Sequence, residues 1–423
     1  MKRILLLCLA AGLLLFSGCQ QEKEDLPAIS GAEKPVSILI ASDLHYLAPS
    51  LTDGGQIFRQ VLEAGDGKIT EYAEEITDAF IEEVIAEKPD ILILSGDLTL
   101  NGEAESHTAL IKKLETITAA GIQVLVIPGN HDLNNPNAVR FSSNTCEPQP
   151  SMTSAEFRIA YKNFEYEQAI ANDRNSLSYV YAACSDLWIF MVDTNSQVEN
   201  TVTDQTIQWL EKQLKKAKKQ NARIIAVSHQ TILTHNQIFS AGYQIDNAEE
   251  LLMLYQEYDV SANFSGHLHL QHILTDPESA MTEIVTSALA VSPNQYGKIQ
   301  YDGNALSYQT QRLHVSEWAE THSVENQDLL HFADYARKRM EQTAYRQITD
   351  FLSRSDLTQK EKELLAGTFV ALNTAYFAGD TIDKAPLRPG LKLWEAQPVP
   401  FYSAYIQSIL ADNPTDHHHL FLR

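Results

Sequence analysis

Between residues 36 and 264 the chain repeats one pattern: a short run of Ile, Val and Leu, a polar turn, then an amphipathic stretch. The runs are Val36–Ala41, Ile91–Ser95, Val124–Pro128, Leu187–Asp193, Arg223–Ser228 and Val260–Phe264. Most are apolar at successive rather than alternate positions, as strands buried on both faces must be. Between them, Thr70–Glu87 places Ile76, Phe80 and Val84 on one helical face, and His107–Ala120 does the same with Leu110, Leu114 and Ile117. Strand, helix, strand in succession predicts a layered α/β fold with helices covering a sheet. Ile284–Val291 and Leu306–Val315 read as the strands that close this unit. With 44% apolar and 21% charged residues the chain has a globular rather than a disordered composition, and 423 residues are comfortable for two domains.

The pattern changes after about residue 315. Val324–Arg354, Thr358–Ala378 and Tyr402–Leu410 read as helices, with Asp356, Leu357, Thr358 and Gly379 as stop and start signals. No clear strand pattern follows, so residues 316–423 read as a small all-helical C-terminal domain. The alternative is an outer helical layer of a single domain. His417–His419 read as a solvated tail.

At the other end, Lys2 and Arg3 precede the apolar run Ile4–Phe16, which ends in Ser17-Gly18-Cys19. The run is short for a membrane span and suits the core of a signal peptide. Small residues directly before a cysteine resemble a bacterial lipobox, with Phe16 where that pattern favours Leu. The expectation is a signal peptide over 1–18, lipidation at Cys19, a flexible tether over 19–34, and an exported protein held on a membrane by its lipid. A plain signal peptide cleaved nearby is the alternative. Cys146 and Cys184 then remain for the mature fold, and sequence does not say whether they pair. The absence of a CxxC spacing argues against thiolate zinc sites. A net charge of −23 argues against binding a nucleic-acid polymer. Screening over roughly 8 Å leaves a small anionic substrate compatible with that surface. No protein partner is inferred.

Five motifs sit at the ends of apolar runs, where an open α/β sheet places its ligand sites. They are Asp43-Leu44-His45, Gly96-Asp97, Gly129-Asn130-His131-Asp132, His229 and Gly266-His267-Leu268-His269. Singly, DxH, GD and a lone His are weak signals. Together, in this order and each at a run end, they resemble the calcineurin-like metallophosphoesterase superfamily over about residues 36–300. The phrase Ser95–Glu103, with the helical tail, is similar to a bacterial lipoprotein branch related to class III cyclic-nucleotide phosphodiesterases.

That resemblance implies a layered metallophosphoesterase fold, β-sheets sandwiched by helices, over 35–315. It implies one metal held by Asp43, His45 and His269, a second by Asn130, His229 and His267, and Asp97 bridging the two. Imidazole and carboxylate suit Mn, Fe or Zn. Two divalent ions, two carboxylates and a bridging hydroxide leave the site positive enough to attract phosphate. Such a hydroxide would attack phosphorus opposite the leaving alcohol. His131 is implied as the group that stabilises the transition state or protonates the leaving oxygen, and Asp132 as the residue that orients its ring; a helix cap or turn acid is the plainer reading of Asp132.

Asn101, Glu103 and His107 could brace the Asp97 loop, and His235 could face substrate. Aromatics in the connecting loops, among them Tyr161, Phe164, Tyr166, Phe239 and Tyr243, either stack a base or simply pack. The resulting expectation is a metal-dependent phosphoester hydrolase acting on small diesters, cyclic nucleotides among them by analogy. Phosphomonoesterase and cell-envelope phosphodiesterase activities are the enzymatic alternatives. A metal-capturing lipoprotein is the non-enzymatic one, although capture has no need of a non-ligand His such as His131.

Overall fold

The structure, a computed structural model, describes residues 35–423 apart from 240, 398–399 and 413–415. The expected signal peptide, Cys19 and the tether lie outside the described residues.

The strands in chain order are β1 (Val36–Ala41), β2 (Ile91–Ser95), β3 (Gln123–Ile127), β4 (Val139–Ser142), β5 (Thr145–Pro148), β6 (Ala171–Asn172), β7 (Tyr179–Cys184) and β8 (Leu187–Val192). They continue with β9 (Arg223–Ser228), β10 (Val260–Ser265), β11 (His272–Thr275), β12 (Thr282–Val285), β13 (Gln295–Tyr301), β14 (Leu306–Arg312) and β15 (His419–Leu422). One sheet runs β15-β14-β13-β1-β2-β3 and the other β11-β12-β10-β9-β8-β7-β6, with β4 and β5 a separate hairpin. β1, β2 and β3 are parallel, as are β8, β9, β10 and β12; the outer strands are antiparallel.

The sheets pack face to face, and β9 shows how one strand serves two layers. Ile225 and Val227 join Ile38 and Ile40 of the other sheet between the layers. Ile224 and Ala226 point the other way, into a cluster with Leu210 and Leu214 of α5 (Asp204–Lys219) and Leu251 and Tyr255 of α6 (Ala248–Glu257). This is the two-residue period of a strand with both faces buried. Helices also cover the outside of the first sheet, among them α2 (Ala73–Glu87) and α3 (Ala104–Ala119). The remaining early helices are α1 (Gln56–Ala64) and α4 (Ser154–Ala160).

The later part is helical: α7 (Val315–Thr321), α8 (Gln327–Leu330), α9 (Phe332–Leu352), α10 (Gln359–Ala378), α11 (Arg388–Glu395) and α12 (Pro400–Ala411). α10 starts where the sequence says it should. The Thr358 side chain accepts from the Glu361 N–H while the Glu361 carboxylate accepts from the Thr358 N–H, and Gly379 ends the helix at φ 72°. The single helix expected over Val324–Arg354 is instead two, α8 and α9, separated at His331.

Three further expectations change. The strand expected over Ile284–Val291 is limited to β12, and the unanticipated β13 sits between β1 and β14. The end of the chain returns to the first sheet as β15, pairing antiparallel with β14 from Leu306↔Leu422 to Gln309↔His419. Four residues completing an edge carry too little pattern to be read as a strand. His417 is buried rather than part of a solvated tail. Cys146 and Cys184 are both free, the first exposed and the second buried.

Leu268 and Leu270 follow β10, yet they are buried in the core of the helical region, with Ile348 of α9, Leu365 and Phe369 of α10, and Tyr405 of α12. The alternate residues His267 and His269 face the opposite way, toward Asp43 and Asp97. The helices thus hold the loop that presents two of the site histidines.

Candidate metal centre

The motif residues come from the C-terminal ends of five strands. Asp43 and His45 follow β1, Asp97 follows β2, Asn130 follows β3, His229 follows β9, and His267 and His269 follow β10. The first three strands belong to one sheet and the last two to the other, so the site forms at the seam between them.

Asp43, His45, Asp97, His267 and His269 all have positive φ, between 44 and 65°. Non-glycine residues seldom adopt this left-handed region, and their concentration at one point marks backbone strain held in place by its surroundings. The Asp43 N–H donates to the Gly96 carbonyl (3.1 Å), the His45 N–H to the Asp97 carbonyl (3.0 Å) and the Gly266 N–H to the His229 carbonyl (3.0 Å). Gly96 and Gly129 are needed for contact rather than for the turn alone. A Cβ on Gly96 would strike the His229 ring, and one on Gly129 would strike Asp97.

The side chains form two groups that share Asp97: Asp43, His45, Asp97 and His269 in one, and Asp97, His229 and His267 in the other. Asp97 Oδ2 lies 3.7 Å from His45 Nε2 and 3.3 Å from His229 Nε2. Asp43 Oδ1 is 3.3 Å from His269 Nε2, and the two nitrogens His45 Nε2 and His269 Nε2 are 3.1 Å apart. Asn130 Oδ1 meets His229 Nε2 at 3.1 Å.

Hydrogen bonds fix which atoms face inward. His229 Nδ1–H donates to the Ser95 carbonyl (2.9 Å), leaving Nε2 for the site. His267 Nε2–H donates to the Gly242 carbonyl (3.0 Å), leaving Nδ1. Such bonds orient metal-ligating imidazoles. Asp43 Oδ2 accepts from the His267 N–H (3.0 Å), but its Oδ1 is buried with no hydrogen-bond partner.

A buried acceptor left without a donor is costly unless a cation fills the gap. Burial alone would raise the pKa of Asp97, but His229, His131 and His45 hold it well below the usual carboxylate range. Burial likewise opposes the charged form of His229, yet Asp97 and Asp43 pull it up to about 9. Burial and the neighbouring His229 push His267 down to about 4, so it is a neutral donor at pH 7. The pocket favours positive charge and presents nitrogen and oxygen donors, which fits divalent cations of the Mn, Fe or Zn kind.

His131 lines the cavity beside these groups, its Nε2 3.9 Å from Asp97 Oδ2. Its Nδ1–H donates to the Leu100 carbonyl at 2.6 Å, and it is this carbonyl that sets the ring. Asp132 does not perform the orienting role expected of it. Its Oδ2 accepts from the N–H groups of Leu98 (3.0 Å) and Gly129 (2.8 Å), and its Oδ1 from the N–H and hydroxyl of Thr99 (both 2.9 Å). It fastens the Asp97 loop to the Asn130 loop. His107 ties into the same knot: its Nε2–H donates to the Asp132 carbonyl (3.0 Å), so its Nδ1 accepts from the Tyr161 hydroxyl (2.8 Å).

His235 is also placed differently from expectation. It is buried against His272 (Nδ1 to Nδ1, 2.9 Å) and Glu283 (Nε2 to Oε2, 3.2 Å), away from the residues lining the cavity. The chain of contacts continues from His272 Nε2 to Asp412 (2.9 Å) and from Asp412 to His417 Nε2 (3.1 Å). His272, Asp412 and His417 are close enough together to suggest a further cation site. However, His417 Nδ1 accepts from the Ile273 N–H (3.1 Å), so in the neutral ring Nε2 carries the proton and donates to Asp412. The cluster is a hydrogen-bonded clasp between the second sheet and the chain end.

Lys68 and Asp66, ion-paired at 2.7 Å, line the cavity with Asp97 and His131. So do Phe401, Tyr402 and Tyr405 of α12. Neither Lys68 nor the α12 aromatics stand out in the sequence, because nothing local to residue 68 or residue 401 signals proximity to residue 97.

A model of calcineurin-like phosphoesterases matches residues 36–271, and a model of the C-terminal domain of cyclic nucleotide phosphodiesterase matches residues 314–416. A protein of Vesicomyosocius okutanii named as a probable cyclic nucleotide phosphodiesterase is 44% identical over 55 residues, which is 13% of this chain and 22% of that relative's length. Among solved structures, a dimetal phosphatase from Danio rerio is 12% identical with a TM-score of 0.47, covering 66% of this chain and 96% of that one. An anchor protein of the Plasmodium inner membrane complex is 14% identical with a TM-score of 0.39, covering 66% and 88%. The chain belongs to the calcineurin-like phosphoesterase family. The family is metal-dependent, and the helical tail over 314–416 is similar to the C-terminal domain of cyclic nucleotide phosphodiesterase.

Proposed function

We propose that the protein is a dinuclear phosphodiesterase acting on small diesters. The observation that carries this reading is Asp97, whose Oδ2 is flanked by a nitrogen of each group, His45 on one side and His229 on the other. One cation would be held by Asp43, His45 and His269, the other by Asn130, His229 and His267, with Asp97 common to both. Bound there, such ions supply Lewis acidity toward a phosphoryl oxygen and acidify water.

The chain's own residues supply the rest. The Leu100 carbonyl keeps the proton on His131 Nδ1, so Nε2 is the nitrogen that faces the cavity. In its protonated form that nitrogen can give a proton to the departing alkoxide. Lys68 offers a further positive group to a phosphate oxygen, with Asp66 fixing its position. Diesters are favoured over polymers because the cavity is small, about 350 Å³, and the chain carries a net charge of −23.

Asp97→Ala tests the bridge. With Mn²⁺-loaded protein, metal content should fall from about two ions per chain to one or none, with loss of bis-p-nitrophenyl phosphate hydrolysis. Retention of both ions would refute the assignment. We further propose export and lipidation at Cys19, on the strength of Lys2, Arg3 and the Ile4–Phe16 run. Among the described residues no helix is long and apolar enough to cross a membrane. Mass spectrometry of the membrane fraction tests this, and an unmodified Cys19 there would exclude it.

A further inference from the structure

The cavity has two unlike halves. At the end nearer β1, β2 and β10 are the charged groups: Asp66, Lys68, Asp97 and the histidines. The opposite half is contributed by α9, α10 and α12, and its lining residues from Met340 to Tyr405 include no charged side chain. Aromatic faces dominate there, with Phe377 of α10 and Phe401, Tyr402 and Tyr405 of α12. Phe239 and Tyr243 approach from the loop after β9. Phe239 is 5.2 Å from Tyr243 and 5.6 Å from Tyr405 between ring centroids, and Tyr243 is 5.5 Å from the His267 ring.

An aromatic wall therefore runs from a site histidine to α12. At its mouth, Phe401 is 58% exposed and Tyr243 39% exposed. Large apolar rings left in water beside a charged centre mark a surface that a ligand can cover. Asn373 lies along the same wall, its Oδ1 accepting from the Tyr405 hydroxyl at 2.6 Å. It gives the wall a polar point, suited to the edge of a heterocycle.

Resting on the diesterase reading above, we infer that the C-terminal helices form the substituent-binding half of the active site and select phosphodiesters bearing one flat, uncharged ring system, of nucleobase type. The juxtaposition behind this is Phe401 and Tyr405 of α12 in one cavity with Asp97 and His131. A wall without cations gives no counter-charge to a second phosphate. Its volume, near the lower limit of small-molecule sites, suits one ring-bearing group rather than two. Stacking on aromatic side chains supplies affinity without demanding one particular base. Phe401 is a specificity-determining residue that binds the part of the substrate remote from phosphorus.

The test compares two diesters with the same leaving group, thymidine 5′-(p-nitrophenyl phosphate) and methyl p-nitrophenyl phosphate, on the Mn²⁺-loaded full chain. Wild type should favour the thymidine diester at least about tenfold in kcat/KM, and Phe401→Ala should lower that ratio about tenfold. Calorimetry on the same proteins supplies a readout independent of turnover. Thymidine 5′-monophosphate should bind about tenfold tighter than inorganic phosphate, with the difference lost in Phe401→Ala. If both diesters are cleaved with a ratio that Phe401→Ala leaves unchanged, the helical wall does not select substrate and the inference fails while the diesterase reading stands. If neither diester is cleaved with Mn²⁺, Zn²⁺ or Fe²⁺, the diesterase reading fails, and the calorimetric comparison alone decides whether the wall binds a ring.

Discussion

Replacing Asp132 separates two roles that the sequence left open. The carboxylate is fully buried and takes four hydrogen bonds, two on each oxygen. In Asp132→Asn an amide nitrogen must take the place of one oxygen. The cheaper orientation turns it toward Thr99, whose hydroxyl can rotate to accept, so one donor, the Thr99 N–H, loses its partner. An unsatisfied buried donor costs about 1–3 kcal/mol. Asp132→Ala leaves the N–H groups of Leu98, Thr99 and Gly129 all without partners, for roughly 3–9 kcal/mol by the same reckoning, comparable with the whole stability of a domain. Urea denaturation of the metal-free protein reads this directly: the midpoint should fall for Asn, and Ala should be barely folded or insoluble. Asn protein as stable as wild type to within about 0.5 kcal/mol, with turnover reduced, would refute the fastening role. It would return Asp132 to the orientation of His131.

His131→Ala should lower kcat by about 10²–10⁴-fold with metal content unchanged, because among the described residues the ring's only hydrogen bond is that to the Leu100 carbonyl. Loss of metal measured by elemental analysis would make His131 a ligand instead. Glu103 gives a pH signature. Burial pushes its carboxyl up to about 7 against the partial offset of hydrogen bonds such as that from the Asn101 N–H (3.3 Å), and its Oε1 has no partner. The folded state therefore binds more protons than the unfolded between about pH 4.5 and 7, and stability declines as pH rises through that window. Glu103→Gln should remove the decline and be more stable than wild type by up to about 3 kcal/mol at pH 8, with the difference below about 1 kcal/mol at pH 5. Parallel urea midpoints for the two proteins at both pH values would contradict it.

The strands that carry the site were legible because each is a continuous apolar run. β1, β2 and β9 have the bounds read from sequence, β8 and β10 differ by one residue at one end, and β3 by one residue at each end. Thr358 and Gly379 similarly announced α10 through capping chemistry local to the chain. β11, β13 and β15 were not legible, since their place depends on neighbours far away in sequence; β13 lies between β1 and β14, and β15 is an edge of four residues.

The same division holds at the site. Sequence by itself determined which residue types were available and, through their position after buried strands, that Asp43, His45, Asp97, Asn130, His229, His267 and His269 could meet. It could not determine what each remaining polar side chain touches. Asp132 adjoins His131 in sequence but binds Leu98, Thr99 and Gly129, because a tight turn sends successive side chains in different directions. His235 is six residues past His229 but faces Glu283 and His272. Only the tertiary structure brought Phe401 and Lys68 to the cavity and buried Leu268 in the helical core while His267 and His269 faced Asp43 and Asp97. The physical reason is that a strand end fixes where a motif emerges, whereas packing between sheets and helices fixes what lies opposite it.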